Sequence, residues 1–585
     1  MKTEALFNKP QRQRYRLMRH NGFIVFYISL SILFITWGIP PWTSAEEISF
    51  DMVDPVMWTG EPYALVGKRM VFTNWYYIRA GSYSWRDSEG KAVNTSKTEC
   101  LGPWDAHFER GVDAPTGVRI IAEKAKRLGP VIKAEKPWEQ MALGLGFVLK
   151  DGDMFRAWGP CQDAQGVTRR CYFESKDGLH WVRPNMGLVE YEGKTNNNLI
   201  PDFPSGRMGL ACSDVTTSIF IDPTAPAQER YKCVKNGRVT MEEFRVFAEK
   251  YPSRWEHRAL RKDAGFIYAL HGYTSGDGIH WKRMPKPLTI EHTDTQVTGY
   301  YDTRLKKYVI YTRNYYVGPT AHNAPDDPKR MGWLSEAHGS GRRSIGRTES
   351  IRFDSFPVSE VIVIPRIDMS PSALLYTMCY TTIPGAPGHH LMFPSVWDTR
   401  DDSTHLEMLS SHDGRIWQWV PGGALMETGD FGQFDGGCIF WHPNLVELAN
   451  GDWALPYSGY SYPHKYPRGA WSFAPGYALW PKGRLIGIRA NELGEFSAVS
   501  IMPPGRKLRI NAVTKRAGSI LVGVAKRNGR FWRGRSFDDA IPIIGDHQYT
   551  SVRWKNGDDM NFDPEDPICL RFKLDRATIY GIQFE

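Results

Sequence analysis

Apolar and polar residues alternate with a period of two over most of this chain, in short runs cut by Gly, Asp, Asn and Pro, which predicts strands rather than helices. Strand pairs are expected at 141–148 with 154–158, at 218–221 with 229–234, at 297–301 with 308–312, and at 437–441 with 453–457. A further pair, 391–397 and 405–409, falls between the last two, and 241–261 reads as a short helical insertion. One turn recurs after these pairs: Ser-x-Asp-Gly-x-x-Trp, at 175–181, 275–281 and 411–417, with a worn copy at 350–356. Four fixed positions match by chance at about one site in 10⁵, so three matches mark a structural repeat. Asp-Gly makes a tight turn, the Ser and Asp side chains can bind turn amides, and the Trp packs back beneath. Recurrence in each unit assigns these tryptophans to the scaffold rather than to ligand contact.

Four-stranded units of unequal length, about 60 to 100 residues apart, predict an all-β chain built on a five-bladed β-propeller over 46–490. From 491 to 585 the pattern changes to short alternating strands at 507–513, 519–524 and 568–574, which predict a β-sandwich.

Composition sharpens this picture. Aromatics reach 13%, with 55 Gly and 39 Pro, a balance that excludes helical bundles and coiled coils. The net charge of +9 is concentrated in the first 45 residues, which carry +5 and leave +4 over the other 540. Nucleic acid is therefore not an expected partner. The basic leader is followed by an apolar run at 22–39, Pro40-Pro41, and small residues ending at Ala45. That order predicts a signal peptide over 1–45 and a secreted or periplasmic chain; an uncleaved segment would instead anchor it to a membrane. Cys161 with Cys171, and Cys212 with Cys233, flank strand–loop–strand units and are either cross-strand disulfides or buried thiols. No metal-ligand spacing occurs, and no cofactor is expected.

Several strings carry a family likeness: PWE at 137–139, YFESKDGLHWVRPNMGLVEYEGKTNNNLI at 172–200, IDPTAPAQERYK at 221–232, HTDTQVTGYYD at 292–302 and KYVIYTR at 307–313. The chain resembles exported bacterial proteins of the glycoside hydrolase family 32 and 43 type, five-bladed propellers that act on furanosides. The resemblance implies a glycoside hydrolase with a carbohydrate substrate. It departs from the family 32 signatures: Trp-x-Asn-Asp-Pro and Arg-Asp-Pro are absent, and the one Glu-Cys pair, at 99–100, precedes the first clear blade.

Glycosidic cleavage needs two carboxylates, one acting as acid and the other as nucleophile or base. In a propeller the starts of the inner strands face the funnel, so acids just before those strands are the candidates. Asp294, inside His292-Thr-Asp-Thr-Gln296, leads, with Glu139 and Asp214 as catalytic partners. Trp138 would offer an aromatic platform, and Arg313 would orient a carboxylate or bind an acidic sugar. His390 and Asp435 would contact substrate. A non-catalytic glycan-binding protein on the same scaffold is the alternative.

Overall fold

Alternation and Asp-Gly turns build five antiparallel blades, each of four strands counted from the inside out. This computed structural model describes residues 61–80, 85–86, 92–93, 114–204, 217–256, 259–261, 266–316, 342–465 and 472–585. The leader with its expected cleavage near Ala45, together with Cys212 and Asp214, lies outside the described residues.

Blade one runs Phe147–Asp151, Met154–Gln162, Thr168–Ser175 and the short edge Leu199–Ile200. Blade two runs Thr217–Ile221, Tyr231–Val239, Phe266–Ser275 and Lys282–Arg283. Blade three runs Thr298–Asp302, Lys307–Tyr316, Arg342–Ser350 and Glu360–Val363. In blade four every strand is broken midway, so the inner one is Ala373–Leu375 plus Tyr380–Ile383 and the second is Ala386–Met392 plus Ser395–Asp398. Blade five runs Cys438–Trp441, Trp453–Tyr460 and Phe473–Trp480. Its outer strand comes from far upstream: Lys126–Leu128 pairs with Tyr477–Leu479 and closes the ring.

The expected helix is present as α1, Met241–Lys250, which leaves blade two between its second and third strands. Thr240 caps it by accepting the Glu243 N–H, while Glu243 accepts the Thr240 N–H in return.

The recurring turn does the same work in each copy. Ser Oγ donates to Asp Oδ1 and accepts the Gly N–H, and Asp Oδ1 takes the next two amides at 2.8–2.9 Å. Each glycine has a positive φ, +81°, +80° and +70°, which is why no side chain fits there. The turn also locks blade to blade. Tyr477 of blade five donates to the Gly178 carbonyl, Trp158 of blade one to that of Gly278, and Tyr311 of blade three to that of Gly414. In the worn copy, which lacks the glycine, Phe353 packs on Phe220 of blade two instead. The motif tryptophans Trp181, Trp281 and Trp417 are only half-buried against the cluster edges, so the deeply buried aromatics are those that grip the turns.

These turns have a titration signature. Burial would raise the Asp413 carboxyl, but bonds from the Ile416 and Arg415 amides, the nearby His412 and the Ser411 hydroxyl outweigh it and hold it below the usual range. A depressed folded-state value stabilises the fold above the unfolded value and is lost as pH falls through the folded one. The stability gap between the native protein and Asp413→Asn should therefore be widest near neutrality and shrink below about pH 4. Urea midpoints measured across that range check this; a gap independent of pH would remove the carboxylate from the account.

The C-terminal strands Ile486–Ser497, Leu508–Lys526 and Ile568–Phe584 are long and pair side by side. Register shifts between Ala490 and Leu493, and between Thr514 and Ser519, bend them over, giving the β-sandwich. Its sheet also takes in upstream strands: Tyr63–Ala64, Arg69–Met70 and Thr116–Ala122. The division at 490 read from the sequence is therefore crossed by these upstream strands, which join the sandwich sheet. Cys161 and Cys171 form a disulfide across the second and third strands of blade one, with Cα atoms 6.1 Å apart.

Candidate active site

The segment entering blade three's inner strand is polar at almost every position, yet nearly all of it is buried. Each side chain is held by a different element. Glu291 accepts from the Ser359 amide and hydroxyl at 3.0 and 2.7 Å. The His292 amide donates to Glu256, and its ring lies between Tyr268 and Tyr315, with centroids at 5.0 and 5.9 Å. Thr293 donates to Asn236, and Thr295 accepts from the Arg343 guanidinium at 2.6 Å. Gln296 accepts the Met378 amide and donates to the Trp441 carbonyl, so one side chain ties blade three to blades four and five. Blades three and five are not neighbours in a ring of five, and the fully buried Gln296 therefore crosses the central axis.

Asp294 is the exception within this run: its side chain is 23% exposed. It forms an ion pair with Arg313, which is buried on the second strand of the same blade and whose guanidinium lies 4.7 Å from the Tyr315 ring centre. A second buried arginine, Arg343, lies 4.0 Å over the ring of Tyr376 from blade four. Tyr376 opens an aromatic wall with Phe440, Trp397 and His464, with centroids at 4.7–5.4 Å. The mouth therefore offers a solvent-reaching carboxylate, two fixed guanidiniums, an imidazole and aromatic surface. A carboxylate paired with a guanidinium suits the part of nucleophile or base rather than that of proton donor.

The other sequence candidates divide. The structure brings Arg313 to Asp294, as a residue that orients a carboxylate. Glu139 is fully buried, gripped by Arg183 at 2.8 and 2.9 Å and by the amides of Glu135 and Lys136. Oε2 accepts three of these bonds and Oε1 one, so the carboxylate anchors the approach to blade one, and this setting lends no support to a catalytic partnership with Asp294. Trp138 is no open platform: its ring packs edge-on against Tyr191 in the core, and its indole N–H donates to Asn198. Asp435 is also fully buried, bonded by Arg127 and by the Tyr457 hydroxyl at 2.7 Å each. Arg127 belongs to the strand that closes the ring, so Asp435 latches that closure instead of facing substrate.

His390 is displaced by one strand. The sequence reading placed it at the start of blade four's inner strand. The turn at Pro384-Gly385 makes Tyr380–Ile383 the inner strand and puts His390 on the second. There it accepts or donates to the Tyr380 hydroxyl at 2.8 Å and lies 4.0 Å from Asp302. Asp302 ends the inner strand Thr298–Asp302 that Asp294 precedes, and at about 3.3 Å per residue that strand alone spans roughly 13 Å. His390 thus belongs to the opposite end of the channel.

Glu256, Glu291, Arg343, Tyr376 and His464 were not read from the sequence. Glu291 adjoins the polar His292 cluster, a signal that was available. Arg343 sits in a strand that the alternation did not resolve, and Tyr376 in the break between the two halves of blade four's inner strand.

No protein-family model matches this chain, and no curated protein matches it. Among solved structures it is similar to one described as a glycoside hydrolase, at 11% identity and a TM-score of 0.39, covering 61% of this chain and 92% of that one. It is also similar to the Bombyx mori family 32 β-fructofuranosidase, at 8% identity and a TM-score of 0.33, over 84% of this chain and 99% of the other. A third is the α-L-arabinofuranosidase from Podospora anserina solved with cellotriose, at 10% identity and a TM-score of 0.34, over 61% and 96%.

Proposed function

We propose that this protein is an exported glycoside hydrolase, and that the funnel mouth around Asp294 cleaves a furanose-containing or related glycan. One observation carries the reading: Asp294 alone reaches solvent from a buried polar segment, fixed by Arg313 and set beside aromatic surface. Sugars are bound by aromatic faces and by charged hydrogen-bonding groups, and an anionic aspartate is the group that attacks the anomeric carbon or activates water. The required proton donor is a second carboxyl at the same mouth. Glu291 is within three residues of Asp294 in the chain, and Asp214, which precedes blade two's inner strand, remains a candidate.

A panel of fructans, arabinans and aryl furanosides tests this. At least one member should be hydrolysed, and Asp294→Asn should lower turnover by about 10²–10⁴-fold while leaving the unfolding midpoint within a few degrees. One specific feature favours a binding protein instead: Glu139, the first partner read from the sequence, is locked into an internal ion pair. Glycan binding without hydrolysis of any member, unaffected by Asp294→Asn, would establish that second reading.

A further inference from the structure

The propeller channel holds a cavity of about 610 Å³, lined along blade three's inner strand from Thr298 to Asp302. This is within the range of about 300–1,000 Å³ usual for small-molecule sites. Its floor and walls are apolar where the inner strands meet: Val148, Phe220 and Leu445 from three blades, with Val66 from the segment that crosses beneath. Polar and charged groups share the lining with them, and some lack hydrogen-bond partners. Thr298 is 2% exposed and its hydroxyl has no hydrogen-bond partner; the Asn444 amide nitrogen is likewise buried and unpartnered. Asp302 spends Oδ1 on the amides of Arg304 and Leu305, at 2.9 and 3.0 Å. Its Oδ2 faces His390 Nε2 across 4.0 Å, too far for a hydrogen bond and wide enough for a hydroxyl to sit between. Nδ1 is engaged by the Tyr380 hydroxyl at 2.8 Å, which leaves Nε2 to a ligand.

From this geometry we infer that the cavity is a second, non-catalytic ligand site that takes a neutral sugar of one or two rings. One sugar hydroxyl would donate to Asp302 and accept from His390. Others would satisfy Thr298 and Asn444, while the ring's C–H face lies on the apolar wall. Burying polar atoms without partners costs free energy that such a ligand recovers. The charged side chains on its wall balance in sign, Lys150 and Arg304 against Asp302 and Glu447, so no net charge selects an anion or a bare cation. A neutral polyol matches donor to acceptor throughout. Burial also keeps His390 uncharged near neutrality, its value lowered to about 4.

Calorimetric titration of the intact protein with D-galactose, L-arabinose and D-fructose, each at millimolar concentration, tests the inference. At least one should bind. Thr298→Val keeps the shape and should weaken binding about tenfold, the loss of one buried hydrogen bond. Thr382→Trp, which fills the cavity from its wall, should abolish binding, and Asp294→Asn should leave it unchanged. If Thr382→Trp fails to fold, Thr298→Val still decides the matter, its fold checked by the unfolding midpoint. Absence of binding by all three sugars overturns the site. So does binding that survives Thr298→Val unchanged and disappears with Asp294→Asn, which would place the sugar in the funnel.

Discussion

Trp158→Ala should destabilise the protein by about 3–5 kcal/mol, among the largest losses available to one substitution. The indole is 1% exposed, packed against Tyr172 and Tyr231 at 5.6 and 6.1 Å between centroids. Truncation leaves a cavity between blades one and two and also strips the Gly278 carbonyl of its 2.7 Å donor. Trp158→Phe retains most of the volume and loses the donor, so it should cost about 1–2 kcal/mol. Trp181→Ala, in the repeated motif itself, removes a half-buried ring from the cluster edge and should cost less than Trp158→Ala. Urea unfolding of the three variants orders them. Equal losses for Trp158→Ala and Trp181→Ala would mean that the motif tryptophan, and not the gripping aromatic, holds the blades together.

Arg183→Met should cost a comparable amount, about 3–5 kcal/mol, because it abandons a fully buried carboxylate. Glu139 is 0% exposed, and with the guanidinium gone only the two amides at 3.0 and 3.2 Å remain to it. Glu139→Gln paired with Arg183→Met removes both charges together and should recover part of the loss, since an unpaired buried charge is worse than none. The functional readout separates roles. If Glu139 is structural, turnover per folded molecule on any hydrolysed glycan should be unchanged in Glu139→Gln. A thousandfold loss of turnover with the midpoint preserved would restore it to the chemistry.

Much of the scaffold was legible because its signals are local. An Asp-Gly turn needs a glycine at positive φ, and a half-buried strand needs alternation, so blades two, three and five stood out at nearly their observed inner positions, whereas blade one's inner strand runs Phe147–Asp151 instead of 141–148. Blade four was harder. Pro384, Gly385, Pro387 and Gly388 read as loop, yet they form the tight turn and second strand that carry His390. Site residues failed for a different reason. Trp138-Glu139 has the composition of a sugar platform, but its meaning is set by Arg183, 44 positions on, which no local pattern connects to it. The same holds for Asp435 and Arg127, joined only when the ring closes. Asp294 and Arg313 could be singled out because both lie beside runs of clear alternation, at 297–301 and 308–312.

The pairing of early strands with late ones sets an order on assembly. Ile120 finds its partner in Ile488, and Arg127 in Ala478, so both the sandwich and the last blade wait for the distal part of the chain. During synthesis, blades one to four can form as each hairpin emerges, while the strands before them keep open edges. Long-range contacts of this kind repay their loop-closure entropy only when the final partner arrives. Completion of the ring therefore doubles as a proofreading step: a chain shortened before its last strands leaves apolar edges at both ends of the propeller for proteases and chaperones to find.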